Sequence, residues 1–474
     1  MRNALKLYNN VAVSAVYRLP GSLLGASTLE DYVFASFTEV LNRQPIMGVT
    51  LENEGGPEPK WIRLPNHSLN LNEVIKFEKA DPKGNLDSLI LQGFRAPFER
   101  VGELPLWRAI IISSQDIQED ADVSFAIAFY FHHGIADGSS GAAFHLTFLD
   151  ALNDLVSSGS KPPSSNEFAN KITIPELALL SNVEKALSLP ISILFFLKII
   201  FKEFIYHPTD PLRWTGPPAS YSSRPPLNSL QSFILSPDLV QNLLSKCRAN
   251  KTSITALITV LTARKLALIH APTYSHFIGN IPFSLLKFMK SIGKKDMGLF
   301  ISNLNPYFSS EPNPPGGYIS CRSTASPEGL PQIKEDVDLL WQSAQQCKKF
   351  IDEGASTHQN LNIGMLKFVP NFKKYFLGMD GQARQNTFEI TNIGVCDGGA
   401  GDDDATEGKK VVFDRMLFAS GLSNYATPYT FCLSTAKGGD MTVTLCWDTG
   451  VIENEDAIEM SGWMEEQLKG LAGA

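Results

Sequence analysis

Cysteine is scarce in this sequence and comes late. All six stand after residue 246, at Cys247, Cys321, Cys347, Cys396, Cys432 and Cys446, and none belongs to a C-x-x-C pair. This spacing supplies neither a zinc knuckle nor a disulfide framework, so no metal is expected. Basic clusters are also missing. The 41 lysines and arginines are scattered along a chain of net charge −8, which excludes a nucleic-acid footprint. Met1-Arg2-Asn3-Ala4-Leu5-Lys6 is not followed by an apolar h-region. No secretory signal is expected, and a reducing cytoplasmic location is the simplest one.

Long uncharged apolar runs are absent as well. The most hydrophobic stretch, Ala186 to Ile205 (ALSLPISILFFLKIIFKEFI), is interrupted by Pro190, Lys198, Lys202 and Glu203. A membrane span needs about 20 mostly uncharged residues, so a transmembrane helix is excluded for 186–205. The first reading is a buried helix. The alternatives are a helix lying on a membrane surface as a peripheral contact, or one roofing an apolar substrate tunnel.

What the chain does have is length and apolar content. Its 474 residues are 43% hydrophobic and 19% charged, which describes a well-buried globular protein with two domains of similar size. Thr28 to Arg43 reads as a helix with Ser27 or Thr28 at its start, and Ile46–Leu51 and Lys60–Leu64 read as strands. Trp107–Ser113 and Val123–Phe131 are further strands; in the second, Phe125, Ile127 and Phe129 share one face and Ser124, Ala126 and Ala128 the other. Ser139–Val156 follows as an amphipathic helix. Proline-rich Lys161-Pro162-Pro163 and Ser223-Arg224-Pro225-Pro226 bracket a crossover, giving an N-terminal domain at 1–157, a crossover at 158–225 and a C-terminal domain at 226–474. The second α/β region starts at Gln231, with helices at Pro237–Arg248 and Ser253–Ile269 and a late strand at Met441–Trp447. Glu311–Leu330 and Asp397–Lys410 read as long loops, and the acidic Asp402-Asp403-Asp404 as part of a solvated one.

The chemistry concentrates in His132-His133-Gly134-Ile135-Ala136-Asp137-Gly138, placed where the strand ending at Phe131 meets the following helix. An imidazole, a carboxylate and a bare position within seven residues form a compact acid–base unit. A free imidazole titrates near pH ~6.5 and is mostly neutral at cellular pH. His133 is therefore the candidate general base, against the bland reading of a structural histidine at a strand end. His132 points to the opposite face and is read as structural. Gly138 is expected to give backbone freedom and room beside the ring. No serine sits in a G-x-S-x-G elbow and no cysteine has a histidine neighbour, so a covalent acyl-enzyme is unsupported. His145, Ser139 and Ser140 are read as packing or capping residues.

The spacing HHxxxDG resembles the signature of the chloramphenicol acetyltransferase-like acyltransferases, which include the plant BAHD enzymes, fungal alcohol acetyltransferases and condensation domains of peptide synthetases. Pro97-Phe98-Glu99, Leu104-Pro105-Leu106-Trp107-Arg108, Trp214-Thr215-Gly216, Met297-Gly298-Leu299-Phe300, Phe388-Glu389-Ile390-Thr391-Asn392-Ile393-Gly394 and Trp447-Asp448-Thr449-Gly450 occur in the order of the fungal alcohol acetyltransferases. A D-F-G-W-G string is missing, which places the likeness on the fungal side. The resemblance implies two chloramphenicol acetyltransferase-like α/β domains, each a mixed β-sheet flanked by helices, with an active-site tunnel at their interface. It also implies O-acyl transfer, most simply acetyl, from acetyl-CoA or another acyl-CoA to a hydroxyl, without a metal.

The apolar segments favour a hydroxyl acceptor such as a terpenoid, polyketide or fatty alcohol, and a monomer is the expected state. Asp137 stands either in contact with His133 or in a structural ion pair. Relatives often carry arginine where this chain has Leu286, and in several it pairs with the motif aspartate; Lys287 or Arg108 is the expected substitute. Thr391 and Asn392 are candidate donors to the reacting carbonyl, with Asn392 equally readable as shaping a strand end. The alternatives are transfer to an amine or from a carrier protein, as in condensation domains, and a recruited cyclase or non-catalytic binding protein.

Overall fold

The computed structural model describes residues 4, 5, 7, 10–23, 27–56, 58–114, 122–164, 171–204, 210–220, 227–323, 334–402, 404, 407–423 and 425–473. The strands run β1 (Asn10–Leu19), β2 (Val49–Glu52), β3 (Lys60–Arg63), β4 (Ser68–Asn70), β5 (Ile75–Lys79), β6 (Trp107–Ser113), β7 (Val123–His132), β8 (Lys171–Thr173) and β9 (Asn228–Leu235). They continue as β10 (His276–Ser284), β11 (Ile301–Leu304), β12 (Tyr307–Ser309), β13 (Tyr318–Ser320), β14 (Phe388–Cys396), β15 (Val412–Ser420), β16 (Tyr429–Ala436) and β17 (Met441–Asp448). The helices are α1 (Leu29–Arg43), α2 (Leu86–Arg95), α3 (Gly138–Ser157), α4 (Val183–Ala186), α5 (Ile193–Phe204) and α6 (Pro237–Ala249). After them come α7 (Ile254–His270), α8 (Lys334–Ala355), α9 (Asn362–Met365), α10 (Phe372–Leu377) and α11 (Asn454–Gly473).

Two mixed sheets result, each flanked by helices, as expected. The first has the order β15-β1-β7-β6-β5, and the second β13-β12-β10-β14-β16-β17-β9 with β11 alongside β10. In the first, β5 runs parallel to β6 while the other neighbours are antiparallel. β7 is buried along nearly its whole length because helices cover both faces. On one, Phe129 stacks on Phe144 of α3 at a centroid distance of 3.8 Å. On the other, Tyr130 donates its hydroxyl hydrogen to the Leu89 carbonyl of α2 at 2.7 Å. In the second lobe α7 is buried among Phe277, Ile390, Phe431 and Leu445.

Local signals set several of these boundaries. Thr28 caps α1 through a reciprocal pair: its hydroxyl accepts from the Asp31 amide and the Asp31 carboxylate accepts from the Thr28 amide. Ser253 caps α7. The strand expected from Ile46 begins only at Val49, since Pro45 opens a 3₁₀ turn over Pro45–Gly48. The segment expected as a loop from Glu311 contains β13, which pairs parallel to β12. Asp397 and Asp402 are engaged by Lys437 and Lys410. Residues 1–3, 115–121, Ile205, Ser223 to Pro226, 324–330 and Asp403 lie outside the described residues.

Two expectations are corrected. The C-terminal domain bounded at 226–474 does not keep all its strands: β15 crosses over and pairs with β1 in the first sheet, from Val11 with Ser420 to Arg18 with Val412. Val412 to Ser420 is buried along most of its length, and only the open edge of β1 decides where it docks. The second is the buried helix expected in 186–205: its described helix, α5, is not buried. Leu194 on α5 is 82% exposed and Ile193 77%. Among the described residues no single helix is long and apolar enough to cross a membrane.

His145 of α3 is fully buried, accepting from the Tyr17 hydroxyl through Nδ1 at 2.8 Å and donating from Nε2 to the Val13 carbonyl at 2.9 Å. Burial pulls its imidazole down from 6.5 to about 4. The unfolded chain therefore binds the extra proton between those values. The ring's contribution is complete above pH 6.5 and is lost as pH falls towards 4, by about 3 kcal/mol. Guanidinium unfolding followed across this range should show the loss, and NMR should find His145 neutral at pH 5; a ring protonated there would contradict the account.

Candidate active site

The motif occupies the corner between β7 and α3. His132 is the last residue of β7, and its side chain continues the face of Ala126, Ala128 and Tyr130. Its Nδ1 accepts from the Gly134 amide at 2.8 Å, so Nε2 carries the hydrogen and donates it to Glu54 at 3.1 Å. That hydrogen bond holds the Glu54 carboxyl below its usual range, against the raising effect of burial. His132 thus closes the turn at its own strand end.

His133, half-buried, turns the other way. Its Nδ1 lies 2.8 Å from the Ala136 carbonyl oxygen. A carbonyl only accepts, so Nδ1 is the protonated nitrogen and the neutral ring carries its lone pair on Nε2. A backbone carbonyl three residues ahead therefore fixes both tautomer and ring orientation, the arrangement a general base requires.

Asp137 is 3% exposed and starts α3 as its N-cap. One carboxylate oxygen accepts from the Ser140 amide at 2.9 Å and the Ser140 hydroxyl at 3.0 Å. The other accepts from the Phe300 amide at 3.0 Å, across to the second lobe. Burial pushes this carboxyl above its ordinary range, against the lowering effect of the three hydrogen bonds and of His133. The Ser140 hydroxyl lies 2.6 Å from the Gly298 carbonyl, and the Asp137 amide donates to the same oxygen at 3.2 Å. Gln44 donates to the Lys295 carbonyl at 2.6 Å and accepts from the Met297 amide at 3.2 Å. The loop 295–300 is thereby stitched to the motif corner from both sides.

The expected cationic partner of Asp137 is not the one present. Arg108 donates to the carbonyls of Gly93, Ala96 and Pro97, where it caps the C-terminus of α2 and packs over Phe98. Its burial lowers the guanidinium to about 10, still charged. Lys287 is exposed and lies over its neighbour Phe288. Backbone amides, one of them at a helix N-terminus, replace the ion pair because the partial positive charge there suits a buried carboxylate.

Gly138 has ordinary helical backbone, so conformational freedom is not its use. A Cβ there would stand 2.7 Å from Ile393 and 2.8 Å from Phe418; hydrogen at this position lets α3 meet β14 and β15. Thr391 shares the β14 face of Ile393 and so faces the α3 side. Asn392 lies on the opposite face: its amide donates to Thr255 of α7 at 3.0 Å and its carbonyl accepts from the Gly394 amide at 2.8 Å. It shapes the bulge after Asn392.

A polar ladder on the face shared by Thr391 and Ile393 escaped the sequence reading. Asn280 donates to Glu389 across β10 and β14. Asn303 donates to Asn280 at 2.8 Å, and Asn305 to Asn386 at 2.8 Å. Isolated asparagines carry no spacing signal, and only strand register brings them together. Among the described residues no three His, Cys, Asp or Glu side chains are grouped as metal ligands.

The family model described as alcohol acetyltransferase matches residues 63–277, which include the motif. The Aspergillus fumigatus protein named "Probable alcohol acetyltransferase crmB" is 25% identical over 95% of this chain and 93% of its own length. The Fusarium pseudograminearum protein named "Probable alcohol acetyltransferase FCK4" is 22% identical over 99% and 92%. The trichothecene 15-O-acetyltransferase TRI3 of Fusarium sporotrichioides superposes with a TM-score of 0.68 at 13% identity, covering 99% of this chain and 92% of that one. The chain is similar to alcohol acetyltransferases over residues 63–277 and shares the fold of that solved acetyltransferase. The first condensation domain of the calcium-dependent antibiotic synthetase shares the fold, with a TM-score of 0.58 at 11% identity over 98% and 91%. The Asp137 staple thus belongs to an acyltransferase-like fold of two lobes.

Two substitutions test this site's construction. Gly138→Ala should destabilise the protein by about 1–3 kcal/mol, because its methyl meets packed side chains. Asp137→Asn should cost about 1–3 kcal/mol, since its NH₂ cannot accept from both amides. Equilibrium denaturation checks both, and unchanged midpoints would contradict them.

Proposed function

We propose that the chain transfers an acyl group, most simply acetyl, from an acyl-CoA to the hydroxyl of an apolar small molecule such as a terpenoid, polyketide or fatty alcohol. The observation that carries this reading is the hydrogen bond from His133 Nδ1 to Ala136, which leaves Nε2 as the basic nitrogen. His133 Nε2 removes the acceptor's hydroxyl proton while the oxygen attacks the thioester carbonyl. The tetrahedral intermediate then collapses, the carbon–sulfur bond breaks, and the imidazolium returns the proton to the departing thiolate. Proton and electron pairs balance without a metal or a covalent acyl-enzyme.

In this scheme Asp137 is a positioning residue. Its carboxylate acts on Ser140 and Phe300, and it holds the turn that supplies the Ala136 carbonyl. Thr391, on the α3 side of β14, is the better placed of the two proposed carbonyl donors. The family and its named relatives support acyl transfer to an alcohol; the CoA donor, the histidine base, the acceptor class, the monomeric state and the cytoplasmic location belong to this proposal.

The test is incubation of purified protein with acetyl-CoA and a panel of apolar alcohols, following free thiol and new ester. His133→Ala should lower kcat by on the order of 10²–10⁴ with no change in melting temperature. Asp137→Asn should lower kcat about 10²-fold with KM for acetyl-CoA little changed, assayed where the variant is still folded. Turnover unaffected by His133→Ala would overturn the base assignment. Turnover with a carrier-loaded acyl group and none with acyl-CoA would instead favour a condensation-type transfer.

A further inference from the structure

The lobe that carries α5 exposes apolar surface in an unusual concentration. Ile193, Leu194 and Leu197 of α5 are 77%, 82% and 55% exposed. The segment holding α10 adds Leu366, Phe368 and Phe372, each more than a third exposed. The two segments are contiguous, since Phe196 packs on Phe368 at 4.8 Å and the Ser192 amide donates to Asn360 at 2.8 Å. On α5 the exposed positions 193, 194, 197 and 198 form one helical stripe, while 195, 196, 199 and 200 are half-buried. The helix therefore lies along the surface with apolar side chains on both sides, Phe195, Phe196, Ile199 and Ile200 half-buried and Ile193, Leu194 and Leu197 outward.

Charge identifies what covers this face. The chain as a whole is net −8, yet the face itself, residues 193–201 and 366–379, contains four lysines and no acidic residue. Lys198, Lys367, Lys373 and Lys374 stand exposed beside the apolar side chains. Protein interfaces are depleted of lysine and have polar rims of mixed sign. Apolar side chains interleaved with lysine, whose stems lie along the apolar surface while the ammonium reaches outward, suit the headgroup layer of an anionic bilayer. The same lobe continues inward as an apolar cluster of Leu187, Leu189, Leu285, Leu361 and Phe300, and Phe300 is the residue whose amide holds Asp137.

We infer that α5 and the segment 366–375 form a docking face for the surface of an anionic phospholipid bilayer. The helix lies in the interface plane, its leucines enter the headgroup–acyl boundary and the lysines meet lipid phosphates. The inference stands on exposure and charge, and its test uses no substrate, so its failure and that of the transfer reaction are separate results.

The experiment is co-sedimentation of the full chain with phosphatidylcholine vesicles, with and without phosphatidylserine. Wild type should bind the phosphatidylserine vesicles on the order of tenfold or more tightly than the neutral ones, and binding should weaken as salt is raised. Leu194→Asp with Leu197→Asp should abolish binding, and Lys367→Glu, Lys373→Glu and Lys374→Glu together should weaken it at least about tenfold. All these side chains are exposed, so circular dichroism and melting temperature should stay as in wild type. Wild type remaining in the supernatant with both vesicle types would overturn the inference. So would a dimer in sedimentation velocity that the leucine variant dissolves, because the face would then belong to a second copy of the chain.

Discussion

One buried carboxylate holds two lobes and one imidazole in a common frame. Asp137 gives one oxygen to the first turn of its own helix and the other to the Phe300 amide, 163 positions further along the chain. A carboxylate at this depth is unfavourable unless its lone pairs are satisfied, so the two lobes can separate only by stranding it. The turn that presents Asp137 also presents the Ala136 carbonyl to His133. Lobe docking and ring orientation are therefore consequences of the same few hydrogen bonds.

Other contacts reinforce this frame. Gln44 clamps Met297 and Lys295 from the first lobe. Asp87 of α2 accepts from the amide and hydroxyl of Ser232 on β9 at 2.9 and 2.6 Å. β15 supplies Phe413, Met416 and Phe418 to the core of the first lobe. Gly138 permits the closest approach, with Ile393 of β14 and Phe418 of β15 pressed against the start of α3. Rigid elements on every side of a five-residue turn keep the His133 ring in place. From this frame an apolar cluster reaches through Phe300 to the exposed face of α5. The chemistry and the surface lobe thus share packing.

Much of the fold was legible because local rules operate over a few residues. β6 spans Trp107–Ser113 as its β-branched run indicates, and α3 begins one residue before the expected Ser139. The alternation in β7 was readable, yet burial on both faces was not, since a second covering helix leaves no mark on the strand itself. At the site, the tautomer of His133 depends on a neighbour three residues away and lies within reach of motif reasoning. The partner of Asp137 does not: Arg108 and Lys287 were plausible by charge, but a backbone amide has no sequence signature. The Asn280–Glu389 rung and the exposure of Leu194 were equally hidden, one needing strand register and the other a missing neighbour.

Taken alone, the order of residues determined the strand–turn–helix corner, its two histidines and the capping aspartate, because alternation, capping and a short turn act between near neighbours. The tertiary structure decided which amides hold that aspartate, which sheet receives β15 and which leucines of α5 stay uncovered. Those outcomes depend on segments more than a hundred residues apart meeting in space, and a hydrophobic residue carries the same side chain whether or not another element arrives to bury it.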